Sequence, residues 1–209
     1  MRALALVLAS SCALAACASN TGMTDNAAPS AMMADPNNPL MAPGYMAMAA
    51  SSDQFEIQSS QLALQASTNP AVQSFARLLI AHHQATSANM IQAAQSAGLT
   101  PPPPALLPPQ QAMLDQLRAA GTGPAFDQAF KAAQIPAHQQ ALQLHQNYAN
   151  GGDVPALRQV AAAAVPIVQQ HLTTAQNLNV DMVQQQPLPP AGDAGASTYS
   201  APVRSGERG

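Results

Sequence analysis

The sequence predicts an all-α fold, and three observations support that prediction. Alanine and glutamine are abundant, whereas β-branched residues are too scattered to form strands. Apolar residues recur at helical spacing, as in Phe55, Leu62 and Ala66. Clusters of Pro and Gly separate four long segments of this kind. We therefore expect four long helices in one domain of about 135 residues, a size that supports a single core.

The first two helices have recognisable boundary signals. Asp53 and Glu56 match a capping box, so the first helix is predicted to begin at Asp53. Asn69 and Pro70 are suited to be the N-cap and the first residue of the second helix. Gly98 is suited to end that helix, because glycine readily adopts the left-handed conformation found there.

The second half of the domain contains a proline-rich connection and two further long helices. Residues 101–104 are four consecutive prolines that resist helix formation, and a short helix is predicted at 110–119. The third long helix begins near Pro124, and the fourth extends from about Val154 to about Val183. Two short turns and one long connection favour a ferritin-like four-helix bundle with a Pro-rich crossover between helices 2 and 3.

An export signal precedes the bundle. Arg2 is followed by an apolar run, and the segment 14–17, Leu-Ala-Ala-Cys, resembles a bacterial lipobox. We predict that residues 1–16 are a lipoprotein signal peptide and that Cys17 carries covalent lipid. Because Ala18 rather than Asp follows the cysteine, the expected location is the periplasmic face of the outer membrane. The alternative is an ordinary secretory signal that leaves a free periplasmic protein.

Two segments outside the bundle lack a helical pattern. Residues 17–50 are rich in Met, Pro and Ala and are predicted to be a flexible tether after the lipidated cysteine. Residues 186–209 are predicted to be a disordered tail, which leaves 51–185 for the bundle. Only 8% of the residues are charged, and the net charge is −3. We therefore predict no nucleic-acid surface, and a membrane partner only through the lipid.

The histidines are the main chemical feature of the predicted bundle, which contains all five of them. None is preceded by Glu at the third position back, so the Glu-x-x-His motif of di-iron bundles is absent. One set of residues supplies a single candidate ligand from each long helix, and the helical rise places the first three at similar heights. This set comprises Glu56, His83, His138 and His171. Such a set predicts a site for one transition-metal ion.

A buried polar network without metal is the alternative interpretation of the same residues. In that interpretation Glu56 acts only in the capping box, His83 is a hydrogen-bonded core histidine, and His82 and His145 face solvent. Methionines in the predicted tether are a weaker indication of metal chemistry, because thioethers favour Cu(I). They are Met23, Met32, Met33, Met41, Met46 and Met48.

Several short motifs, in this order, resemble the domain of unknown function 4142 (DUF4142) family of bacterial envelope proteins. They are Glu56-Ile57, Leu62-Ala63-Leu64, Asn69-Pro70, Phe75-Ala76, His83, Phe126-Asp127, His138-Gln139, Pro166 and His171-Leu172. The resemblance covers about Phe55 to Leu178 and implies a ferritin-like fold at the outer membrane, without an established activity. The chain departs from the family at His82, where Asp is frequent, and at Phe130, where an aromatic hydroxyl is frequent.

The sequence contains no nucleophile motif, phosphate-binding loop or cysteine-based metal motif, so we predict no catalytic residues. The first functional hypothesis is a lipid-anchored, periplasmic-facing bundle with a non-catalytic binding or stress-related role. One alternative is a metal-binding or redox protein with a single ion in the bundle. Another is a structural or interaction protein of the cell envelope.

Overall fold

The computed structural model describes residues 37–181. Within this range the chain forms helices and no strands, which confirms the all-α prediction. The helices are α1 (Ala42–Ala66), α2 (Pro70–Ser96), α3 (Pro108–Ala119), α4 (Pro124–Gly151) and α5 (Pro155–Asn177). The predicted signal peptide, Cys17 and the predicted tail lie outside the described residues.

The four long helices pack in a ring. Helix α1 contacts α2 and α4, and α5 contacts the same two helices from the other side. The Gly123 amide donates to the Ala66 carbonyl at 2.8 Å, and the Asp153 amide donates to the Leu40 carbonyl at 3.2 Å. These contacts join opposite ends of α1 and α4, so the two helices are antiparallel. The segment 97–123, which contains α3 and the prolines, therefore connects the C-terminal end of α2 to the N-terminal end of α4, at opposite ends of the bundle.

Helix α1 begins at Ala42, so the prediction that it begins at Asp53 is wrong. The predicted tether consequently extends too far, because residues 42–50 are helical and largely buried. Their buried face consists of Ala, Gly, Tyr and Met rather than the large aliphatic residues that mark a helical stripe. The capping box is also wrong, since Asp53 and Glu56 lie in the middle of α1.

The other helix boundaries lie close to their predicted positions, except the end of α5. The Asn69 side chain accepts a hydrogen bond from the Ala71 amide at 2.9 Å, which confirms Asn69 as the N-cap of α2. Gly98 follows α2 with a φ of 73°. Helix α5 ends at Asn177, before the predicted Val183. No helix within residues 37–181 is long and apolar enough to cross a membrane.

Two hydrophobic clusters fill the bundle, one near each end. The cluster toward the C-terminal end of α1, which we call the lower cluster, includes Phe55, Phe75 and Phe130. The cluster toward the N-terminal end of α1, which we call the upper cluster, includes Tyr45 and Tyr148. Between them lies a layer of buried polar side chains, which we call the polar layer. Its members are Asp53, Glu56, His83, His138 and His171. Burying polar groups is costly unless they are partnered, so this interruption of the core needs a physical explanation.

Candidate metal centre

Three buried histidines meet in the polar layer. One ring nitrogen each from His83, His138 and His171 lies within 4.8 Å of the others. The ring centroids are 5.3 to 5.9 Å apart. These residues come from α2, α4 and α5, and we call them the histidine triad. Each is held by a different partner outside the triad.

His83 is oriented by Asp53. Its Nδ1 lies 2.7 Å from Asp53 Oδ1, so Nδ1 carries the proton and donates it to the carboxylate. Asp53 also accepts from the hydroxyls of Thr86, at 3.2 Å, and Ser87, at 2.7 Å. Burial alone lowers the pKa of His83, but the hydrogen bond and charge of Asp53, with the charge of Glu56, raise it overall. The opposite ring nitrogen, Nε2, is buried and has no hydrogen-bond partner.

His138 is oriented by its own helix. Its Nδ1 lies 2.8 Å from the backbone carbonyl of Gln134, one turn earlier in α4. Because a carbonyl only accepts, Nδ1 must carry a proton, and neutral His138 has its lone pair on Nε2. That Nε2 is buried without a hydrogen-bond partner.

His171 is oriented by a fourth histidine. Its Nε2 lies 2.8 Å from His82 Nδ1, and the two rings stack with centroids 5.0 Å apart. Burial lowers the pKa of His171 to about 2, and the repulsion that His83, His138 and His82 would exert when protonated acts in the same direction. His171 is therefore neutral, and its Nδ1 is buried without a hydrogen-bond partner.

These three contacts are the kind that orient metal ligands. In histidines that bind metals, the N–H of the second ring nitrogen usually donates a hydrogen bond to a carboxylate, a carbonyl or water. Asp53 and the Gln134 carbonyl serve His83 and His138 in this way, and His82 occupies the equivalent position beside His171. The nitrogens left over, one per histidine, are buried in the same region. Imidazole nitrogens arranged like this suit zinc, copper, iron or nickel.

Glu56 lies beside the histidine triad but is not a member of it. Its Oε1 is 3.7 Å from His138 Nδ1, too long for a hydrogen bond, and the residue is 1% exposed. Both carboxylate oxygens lack a hydrogen-bond partner. A buried carboxylate without donors is costly, and a nearby cation would offset that cost. Of the four predicted ligands, the structure thus brings together three and places the fourth at the edge of the site.

Three contributors to this site were not predicted. Asp53 was assigned to a helix cap, although its spacing of three from Glu56 places both residues on one helix face. His82 was expected to face solvent, but it is half-buried against His171. The backbone carbonyl of Gln134 carries no sequence signal, because every residue has one.

In the alternative interpretation without metal, His145 also faces solvent, and that part of the alternative is wrong. It is 7% exposed, and its Nδ1 lies 3.0 Å from the Tyr45 hydroxyl in the upper part of the bundle. Burial lowers its pKa to about 4. Among the described residues, His145 does not lie with the histidine triad.

A comparison with known protein families confirms the family resemblance that the sequence motifs suggested. The family described as "Domain of unknown function (DUF4142)" matches residues 26–178. The chain belongs to the DUF4142 family. No curated protein matches it. Within this DUF4142 chain, the match includes every residue of the polar layer.

Two solved structures resemble the fold of this DUF4142 protein. One is CopM in its Cu(II)-bound form, with a TM-score of 0.55 and 20% identity, covering 66% of this chain and 94% of that one. The other is CopM in its Ag-bound form, with a TM-score of 0.54 and 21% identity, covering 66% and 93%. At this level of identity the resemblance concerns the fold.

Proposed function

We propose that this protein binds one transition-metal ion, with copper as the preferred metal, through the histidine triad. The observation that carries the proposal is the meeting of three buried histidines, whose rings also contribute three buried nitrogens that have no hydrogen-bond partner. They are His83 Nε2, His138 Nε2 and His171 Nδ1. Each of these histidines uses its other nitrogen to fix the ring, which leaves the inward nitrogen available for a metal.

A metal-free polar network explains this arrangement less well. In such a network the buried groups would hydrogen-bond to one another, because each unpaired polar atom costs about 1–3 kcal/mol. Here the inward nitrogens of the triad and both oxygens of Glu56 remain unpaired in the same layer. A cation would partner the nitrogens directly and offset the negative charge of Asp53 and Glu56.

Copper is favoured by the donor set and supported by the fold comparison. Divalent copper binds nitrogen sites more tightly than the other first-row metals, and imidazole is a suitable ligand for it. CopM, which shares this fold, has been solved with Cu(II) and with Ag bound. Zinc is the main competitor, since three histidines also suit zinc.

The proposed role is to hold metal rather than to catalyse a reaction. A catalytic metal needs a coordination position that substrate can reach. The triad histidines are at most 3% exposed and lie between two hydrophobic clusters. We therefore propose metal storage or transfer as the function that fits this geometry.

Metal content tests this proposal. The full chain, purified without a His tag and stripped with chelator, should bind one Cu(II) per chain. His83→Ala/His138→Ala should weaken binding by at least about 100-fold, more than the loss expected for an orienting partner. Gln84→Ala/Gln139→Ala is the matched control, because each exposed glutamine adjoins a triad histidine in sequence. Equal binding by the two double variants, or no binding by the wild type, would contradict the proposal.

We also propose that Cys17 carries lipid and holds the bundle at the periplasmic face of the outer membrane. The support is the lipobox-like segment 14–17 and the Ala that follows the cysteine. Periplasmic copper handling is consistent with a bundle tethered there, because the tether itself carries Met23, Met32 and Met33.

A further inference from the structure

His82 connects the buried histidine triad to the protein surface. It is half-buried on α2, whereas its partner His171 is fully buried on α5. The two rings are stacked, and His82 Nδ1 lies 2.8 Å from His171 Nε2. His171 thus faces His82 with one nitrogen and the triad with the other. Among the groups that orient the triad, His82 is itself a good metal ligand.

The interface between α2 and α5 contains two grooves, one on each side of this histidine pair. The upper groove has a volume of about 430 Å³ and extends from Ser96 and Ala156 to Thr86 and Ile167. The lower groove has a volume of about 680 Å³.

His82 lies one helical turn from the inner end of each groove. It is four residues from Thr86, which lines the upper groove, and four from Leu78, which lines the lower. His171 lies four residues from Ile167 and three from Thr174 on the opposite helix. The His82–His171 contact is therefore what separates the two grooves.

The upper groove is the more polar route toward the site. Asn89, Gln92 and Gln159 line it and are exposed. At its inner end the Thr86 hydroxyl donates to Asp53, which in turn accepts from His83. A hydrated cation moving along this groove would meet amide and hydroxyl oxygens first, and then the His82 ring.

We propose that His82 is an entry ligand, which captures the metal ion from the upper groove and passes it to the histidine triad. This inference rests on the proposed metal-binding function. The ion would bind His82 first and then the triad, as the His82–His171 contact opens. As an entry ligand His82 controls how fast the site fills, in addition to orienting His171, whereas the triad holds the ion.

Loading kinetics separate entry from affinity. The chelator-stripped full chain would be mixed rapidly with Cu(II), and the rate of site formation and the equilibrium Kd would be measured separately. His82→Ala should slow loading by about tenfold or more, the effect of losing one ligand from the rate-limiting step. Because His82 also orients His171, the Kd of His82→Ala should rise as well, by about 10- to 100-fold.

His82→Asn distinguishes an entry ligand from a group that only orients His171. The Asn amide can replace the hydrogen bond to His171 but supplies no imidazole. Slow loading in both variants, with the Kd of His82→Asn within about threefold of the wild-type value, supports the proposal. Loading at the wild-type rate in His82→Asn overturns it, because His82 would then only orient His171. Faster loading in His82→Ala also overturns it, because the ring would then obstruct entry.

The groove itself offers a second test. Ala163→Leu places a larger side chain in the upper groove, and Ala162→Leu places it on the adjacent exposed position outside the groove. Only Ala163→Leu should slow loading, and equal rates would exclude this route. Wild-type chain that binds no Cu(II) at equilibrium would defeat the proposed function as a whole. Wild-type binding with unchanged loading in His82→Ala would defeat the entry role alone.

Discussion

At the scale of single residues, His145 shows how burial controls the charge of a side chain in this bundle. It lies in the upper part of the core, where its Nδ1 is 3.0 Å from the Tyr45 hydroxyl. Burial lowers its pKa from the ordinary 6.5 to about 4. The charge of Asp53 raises this pKa in part, and the charge of His83 lowers it further. His145 is therefore neutral at pH 7, and Tyr45 stacks on Tyr148 beside it with centroids 3.8 Å apart.

This depressed pKa predicts a loss of stability in acid. Below pH 6.5 His145 is protonated in the unfolded chain, whereas in the folded chain it is protonated only below about pH 4. The stabilisation is complete above pH 6.5, is lost as the pH falls to about 4, and amounts to roughly 3 kcal/mol. His145→Asn should reduce the slope of unfolding free energy against pH in that window by up to about 1.4 kcal/mol per unit. Urea unfolding with chelator present measures both slopes, and identical slopes would contradict the assignment.

At the scale of helices, the junction between α4 and α5 shows a close approach that only glycine permits. A Cβ on Gly152 would lie 2.6 to 2.7 Å from three atoms of the Tyr148 ring. That ring cannot easily move, because it is fully buried, stacks on Tyr45 and donates to Asp153 at 2.8 Å. On Gly151, in contrast, a Cβ would make only ordinary contacts with Leu40, at 3.8 Å or more.

The two neighbouring glycines should therefore respond differently to the same substitution. Gly152→Ala should destabilise the protein by about 1–3 kcal/mol through overpacking against Tyr148. Gly151→Ala is the matched control and should be neutral or stabilise by up to about 1 kcal/mol, because it restricts the unfolded chain. Thermal and urea unfolding of both variants test this difference. Equal destabilisation would mean that helix geometry, and not the Tyr148 ring, governs the junction.

Helix boundaries were predictable where local chemistry specifies them. Asn69 and Pro70 start α2 because an amide cap and a proline suit those positions in any context. The start of α1 was not predictable in this way. Its buried face around Tyr45, Met46 and Ala49 is made of small and flexible residues, and burial becomes evident only when the neighbouring helices are present.

The candidate site was predictable in part for a similar reason. The similar spacing of His83 and His138 from their helix starts places them at similar heights, and this depends only on helical rise. Their orientation depends on tertiary contacts with Asp53 and on a backbone carbonyl, which no spacing specifies. The edge position of Glu56 likewise follows from packing, since helical rise fixes height but not the direction of a long side chain.

At the scale of the whole molecule, anchoring and metal binding should be separable. Every residue of the polar layer lies within 37–181, whereas Cys17 precedes that range. Cys17→Ser should abolish lipid labelling and release the protein from membranes, with copper stoichiometry and unfolding unchanged. Cys12→Ser is the matched control and should alter neither labelling nor membrane association. Persistent membrane association of Cys17→Ser would contradict the anchor.

The position of the polar layer has a mechanical consequence. The chain has only two cysteines, at positions 12 and 17, so no disulfide can join the helices of the bundle. Ligands from α2, α4 and α5 would let one bound ion link the two helical hairpins across the long segment 97–123. Because the ligands come together only in the folded chain, the ion would stabilise the fold by binding to it and not by restricting the unfolded chain. Unlike a disulfide, this metal link between the hairpins can be formed and broken by the supply of metal, without any redox chemistry.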